Sequence, residues 1–90
     1  MRIVAVCGMG IGTSVLLKMN AEKVLRTMGI DATVEACDVA TARRSAESAN
    51  IVLTTPELVE SLKGLSAEII AIEHFFDLQE ITQKLSKSLL

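Results

Sequence analysis

Aromatic residues are nearly missing from this chain. It has no Trp or Tyr and only two phenylalanines, Phe75 and Phe76, so it offers no row of rings on which nucleic-acid bases could stack. A basic surplus is missing too: nine Lys and Arg against eleven Asp and Glu give a formal charge of −2, whereas a nucleic-acid surface carries a clustered positive excess. One histidine, His74, and two cysteines, Cys7 and Cys37, supply too few ligands for a metal centre. The sequence therefore asks for no metal and no cofactor. The cysteines form no C-x-x-C pair, and a thiol useful in its reduced form points to a reducing, cytoplasmic setting. No apolar run approaches the roughly 18 residues of a membrane span. The apolar stretch at residues 3–6 is shorter than the roughly 7–15 residues of a secretory signal core. Any link to a membrane is expected to run through a partner.

What the chain has is apolar content: half of its residues are hydrophobic, enough for one modest core in a chain of this length and not for two. Residues 1–90 are expected to form one domain. Short apolar strand-like runs, at 2–7, 32–37, 50–54 and 68–73, alternate with helical stretches, as in a buried parallel sheet. The first helix is expected over 13–28, with Leu17, Ala21, Val24, Leu25 and Met28 on one face and Gly29 as its stop. A short polar helix follows at 41–48. Thr55-Pro56 reads as the cap and first turn of a third helix closed by Gly64, and Asp77 with Glu80 reads as a capping box for a last helix ending near Leu89. The fold class is α/β, an open four-stranded parallel sheet flanked by helices in β-α-β-α-β-α-β-α order. Ligands of such a sheet bind beyond the carboxyl ends of its strands, here the loops at 7–14, 37–40, 54–56 and 73–76.

The chemistry concentrates in the first of these loops. Arg2-Ile3-Val4-Ala5-Val6 runs straight into Cys7-Gly8-Met9-Gly10-Ile11-Gly12-Thr13-Ser14, and a helix follows. Backbone N–H groups of such a turn converge on one point, and the free N–H groups at the helix start add partial positive charge there. The three glycines let the backbone approach a ligand closely, while Thr13 and Ser14 offer hydroxyls and caps. Cys7 is the candidate nucleophile; Gly8, Met9, Gly10, Ile11, Gly12, Thr13 and Ser14 are the candidate phosphate-binding loop. Met9 and Ile11 either surround the thiol with a small apolar patch for a partner or tuck beneath the loop. The same dipoles are expected to lower the Cys7 thiol pKa below the roughly 8.5 of a free cysteine.

Spacing excludes two other loop designs. A dinucleotide site needs G-x-G-x-x-G, but here the third glycine comes one place early, and a nucleotide loop needs Lys where Thr13 stands. A leading cysteine fits covalent phosphoryl chemistry instead. The cysteine phosphatase loop, C-x-x-x-x-x-R-S/T, is the nearest chemical comparison, and Thr13 occupies its arginine position. Without that guanidinium the loop is expected to hand on a phosphoryl group rather than hydrolyse it. Two alternatives stay open: a low-molecular-weight phosphatase relative, and a non-enzymatic module that binds an anion or partner while Cys7 is merely a small buried residue. Cys37, ending the second strand near the same edge, fits a packed neighbour of the loop better than a disulfide or metal partner of Cys7. His74 is a possible general base or a residue of ordinary structural role. Arg43 and Arg44 either meet an acidic partner or lie on a solvated face.

With these residues in view, the chain resembles the enzyme IIB components of the bacterial phosphoenolpyruvate-dependent sugar phosphotransferase system. The segment from Arg2 through Ser14, the following Leu17-Lys18-Met19, and Glu35-Ala36-Cys37-Asp38-Val39 are most similar to ascorbate-type IIB proteins. Lactose/cellobiose- and galactitol-type relatives share the cysteine and the architecture, which is similar to low-molecular-weight cysteine phosphatase and flavodoxin-like folds. The resemblance implies a cytoplasmic phosphotransferase. Cys7 would accept a phosphoryl group from a phosphohistidine of the IIA component, held by the loop from Gly8 to Ser14. It would then pass the group to a sugar, ascorbate-like, bound by the membrane IIC component. It implies no nucleic-acid partner and no insertion of this chain into the membrane.

Overall fold

The computed structural model describes residues 1–8 and 11–89. Four parallel strands, β1 (Arg2–Cys7), β2 (Thr33–Asp38), β3 (Ile51–Thr54) and β4 (Glu68–Ala71), form one sheet in the order β2-β1-β3-β4. The helices are α1 (Ile11–Met28), α2 (Val39–Ser45), which runs on into a 3₁₀ turn at Ala46–Ser48, and α3 (Leu78–Leu89). β1 is buried from Ile3 to Cys7 because both of its faces are covered, which is why it reads as an unbroken apolar run. Ile3, Ala5 and Cys7 pack with Leu17, Ala21 and Leu25 of α1 and with Ile81 and Leu85 of α3. Val4 and Val6 face the other way, into a second core with Cys37, Ala42, Ala46, Val52 and Leu62.

α1 stops where the sequence places its stop. Gly29 takes φ +74°, its N–H donates to Arg26 O at 3.1 Å, and the Ile30 N–H donates to Leu25 O at 3.0 Å. This 6→1, 5→2 pair satisfies carbonyls that the helix end leaves free. α2 starts two residues ahead of the expected position because Asp38 caps it, Oδ1 accepting from Thr41 N–H at 2.9 Å.

Two expectations are corrected. The segment after Pro56 is not an α-helix but two 3₁₀ turns, Pro56–Leu58 and Glu60–Leu62, closed by i→i+3 bonds such as Leu58 N–H to Thr55 O. Only Leu62 of these turns is fully buried, so no apolar stripe anchors a longer helix, and short helical pieces gain little on their own. Thr55 does not cap this segment with its side chain. The capping box before α3 is half formed. Asp77 Oδ1 accepts from Gln79 N–H and Glu80 N–H, but Glu80 does not return to Asp77. Its carboxylate accepts from the Glu73 and His74 N–H groups, at 2.7 and 2.9 Å, and from Lys84 Nζ at 2.7 Å. Lys84 also donates to Ala71 O on the edge strand β4.

Candidate active site

The strand order sets the place of the site. After β1 the chain crosses one face of the sheet through α1, and after β3 it crosses the other face through the 3₁₀ turns. The carboxyl ends of β1 and β3 therefore part to leave a crevice, the position where open α/β sheets take ligands. Cys7 and Gly8 border this crevice on one side and residues 54–58 on the other. Thr54 Oγ1 donates to Val6 O at 2.9 Å and ties the two strands together at its floor.

The Cys7 thiol is almost wholly buried, 1 % exposed, within the α1-side core. Burial pushes its pKa up, and the Glu57 carboxylate pushes it further the same way. The expected lowering is thus reversed: desolvation of the sulfur, together with an anion from the loop after β3, opposes the thiolate. Gly8 is exposed, and a side chain there would approach Leu58 Cδ2 to 3.4 Å. Thr13 is half-buried and Ser14 fully buried in the first turns of α1. The expectations for Met9 and Gly10, and for the side chains at Ile11 and Gly12, lie outside the described residues.

Thr55 directly follows β3. The β1–β3 ladder ends at the pair Ala5 and Leu53, and two residues further along come Cys7 and Thr55. Its backbone is still extended, φ −96° and ψ 157°, which keeps its side chain on the face shared by Ala5, Leu53 and Cys7. The residue is 9 % exposed, and among the described residues Oγ1 has no hydrogen-bond partner.

Cys37 sits level with Val6 across the β1–β2 ladder and packs in the other core. Burial raises its thiol pKa, offset in part by side-chain hydrogen bonds with Ser45 and Thr41. Cys37 is a packed neighbour of β1, and both thiols are free. His74 is exposed and its Nδ1 lies 3.1 Å from Glu80 Oε1, so its ring belongs to the clasp that holds the loop before α3. That loop is also tied to α1, Asn20 Nδ2 donating to Phe75 O at 2.7 Å. Arg43 donates to Ser61 O and Lys63 O, a tether between α2 and the 3₁₀ segment.

The family model described as "PTS system, Lactose/Cellobiose specific IIB subunit" matches residues 2–87. The chain belongs to this family. It is a IIB component of the sugar phosphotransferase system, a group whose members are phosphotransferases. An ascorbate-specific EIIB component of Mycoplasma pneumoniae is 34 % identical over 90 residues, covering 99 % of this chain and 95 % of the relative. An ascorbate-specific EIIB component of Escherichia coli O157:H7 is 35 % identical over 57 residues, 63 % of this chain and 56 % of that protein. Two solved structures share the fold. The lactose-specific IIB domain of Streptococcus pneumoniae superposes with a TM-score of 0.66 at 16 % identity, covering 99 % of this chain and 90 % of that one. A low-molecular-weight protein tyrosine phosphatase of Bacillus subtilis gives 0.61 at 13 % identity, covering 97 % and 89 %. Among the described residues no helix is long and apolar enough to cross a membrane.

For this IIB chain, sequence reasoning proposed Cys7 and residues 8–14 and counted 54–56 among the carboxyl-end loops, but it gave no site role to three residues that follow β3. Glu57 bears on the thiol's charge, Leu58 abuts Gly8, and the Thr55 hydroxyl is buried with no partner among the described residues. The Thr-Pro pair at the end of a strand was the available signal, and it also fits a helix cap.

Proposed function

We propose that this IIB protein carries a phosphoryl group on Cys7 as one cytoplasmic domain, with residues 8–14 as the phosphate-binding loop. The donor is a phosphohistidine of the IIA component. As the Cys7 sulfur gives up its proton and forms the S–P bond, the N–P bond breaks and its electron pair returns to the imidazole. A hydroxyl of a sugar held by the membrane IIC component then attacks phosphorus and releases its proton, and the S–P pair returns to sulfur. The names of the M. pneumoniae and E. coli relatives favour an ascorbate-like substrate.

One observation carries the reading: Cys7 closes an inner strand at the crevice between β1 and β3, a few residues ahead of an 18-residue helix. Anions are stabilised at such a helix start. Residues 8–14 hold no Lys or Arg, so the loop has no cationic side chain of its own to drive hydrolysis of the phosphoryl group. The fold likeness to the phosphatase favours a second reading, hydrolysis of phosphoesters, against which Thr13 stands in the arginine position.

Incubation with a phosphohistidine-bearing IIA component, followed by intact mass, tests the proposal. One phosphoryl adduct is expected, lost in Cys7→Ser and kept in Cys37→Ser. An unmodified chain, or steady turnover of an aryl phosphate without a partner, would overturn it.

A further inference from the structure

We infer that Thr55 belongs to the phosphoryl site, its hydroxyl donating a hydrogen bond to an oxygen of the group held at Cys7. The inference rests on the reading of Cys7 given above and adds a residue that the loop motif does not contain.

Three observations converge on this hydroxyl. It is buried yet unpartnered among the described residues, a state that costs stability because the lost bonds to water are not replaced. Val would fill the same volume on this apolar face without that cost. Thr55 lies as many residues beyond the last β1–β3 pair, Ala5 with Leu53, as Cys7 does, and its extended backbone continues the alternation of β3. And it is not spent on local structure, since Thr55 leaves the following 3₁₀ turn uncapped by its side chain. Among the described residues the other buried unpartnered side-chain oxygen, Ser88 Oγ, lies in the last turn of α3, away from the carboxyl ends of the strands.

The site's charge explains why such a donor is useful. Residues 8–14 carry no cationic side chain, and the Glu57 carboxylate acts on Cys7 in the sense that disfavours an anion there. A phosphoryl group at Cys7 must therefore be held by neutral donors. Thr55 supplies one from the chain just after β3.

Inorganic phosphate is the probe. Its binding to the purified chain is followed through the Gly8 and Ser14 amide resonances in the parent protein and in Thr55→Val, Thr55→Ser and Thr55→Ala. Thr55→Val and Thr55→Ala are each expected to weaken phosphate binding about tenfold or more, the usual scale for a hydrogen bond to a charged group. Thr55→Ser, which keeps the hydroxyl, should stay within about twofold of the parent. In phosphate-free buffer Thr55→Val is expected to melt above the parent, because it removes an unpaired hydroxyl. Equal phosphate affinity in all four proteins, or no phosphate binding to the parent, overturns the inference. Failure of the carrier reading is separable: it appears as a parent chain that takes no phosphoryl group from IIA, whatever its affinity for phosphate.

Discussion

Cys7 and Cys37 lie on opposite faces of the sheet. The ladder pairs Val6 with Cys37 and Cys7 with Asp38, so a single step of register separates the two thiols into different cores. Side chains one residue apart on a strand cannot share a face, and disulfide geometry demands close, converging Cβ atoms. Treatment with a thiol oxidant is therefore expected to leave the folded monomer without an intrachain disulfide. Peptide mapping of the alkylated protein checks this, and a Cys7–Cys37 cross-linked peptide from native protein would contradict the register.

Glu57 sets part of the Cys7 acidity. Burial is the larger cause of the raised pKa and the Glu57 charge the second. Glu57→Gln should move the rate-against-pH curve for alkylation of Cys7 to lower pH while leaving Cys37 unchanged. The stability consequence has a definite sign. A thiol pKa raised in the folded state above the roughly 8.5 of a free cysteine contributes stability that is full below that value and fades as pH rises through the folded pKa. Denaturant midpoints measured on the alkaline side should fall less steeply with pH in Glu57→Gln.

Glu80 is the opposite case. Burial works against its charge, but Lys84, the Glu73 and His74 N–H groups and the His74 ring together hold its carboxyl down at about 2. The folded pKa lies below the unfolded 4.5, so the stabilisation is present above pH 4.5 and is lost as pH falls toward 2. Glu80→Ala is expected to cost about 2 kcal/mol near neutrality, since it strands two N–H donors and an ammonium. Acid unfolding monitored by circular dichroism should show the gap between parent and variant closing below pH 4.

Gly29 is a backbone requirement. At φ +74° an L side chain meets the steric penalty of the left-handed region, and Gly29→Ala is expected to destabilise the chain by about 1 kcal/mol. A urea midpoint lowered with no change in slope would report that loss; an unchanged midpoint would mean the end of α1 relaxes at no cost.

The sequence made some parts of this molecule legible and hid others for physical reasons. Strands β1 and β3 and the stop of α1 were readable because unbroken apolar runs and a glycine after a helical stripe have few other meanings. The 3₁₀ segment was not, because Thr-Pro followed by Gly64 signals the ends of a helix without saying whether its middle has an apolar stripe to bury. Glu80 was misdirected for a related reason: position N3 of a capping box is also one turn before Lys84 and within reach of the loop carrying His74, and three donors outcompeted one. The candidate site was legible as a loop but not as a crevice. The pKa expectation for Cys7 counted dipoles contributed by its own chain neighbours. It could not count the solvent removed by α1 and α3 or the carboxylate delivered by Glu57, fifty residues away in sequence.

Lys84 has a consequence for the sheet as a whole. The Ile72 N–H turns inward to Thr54 O, so the carbonyl of the same peptide, Ala71 O, points outward along the open side of β4, and the Lys84 ammonium occupies it. A foreign chain seeking to extend the ribbon there would have to evict a cation that Glu80 also grips. Such a guard discourages aggregation through exposed backbone, leaving the four-stranded array a finished surface on that flank.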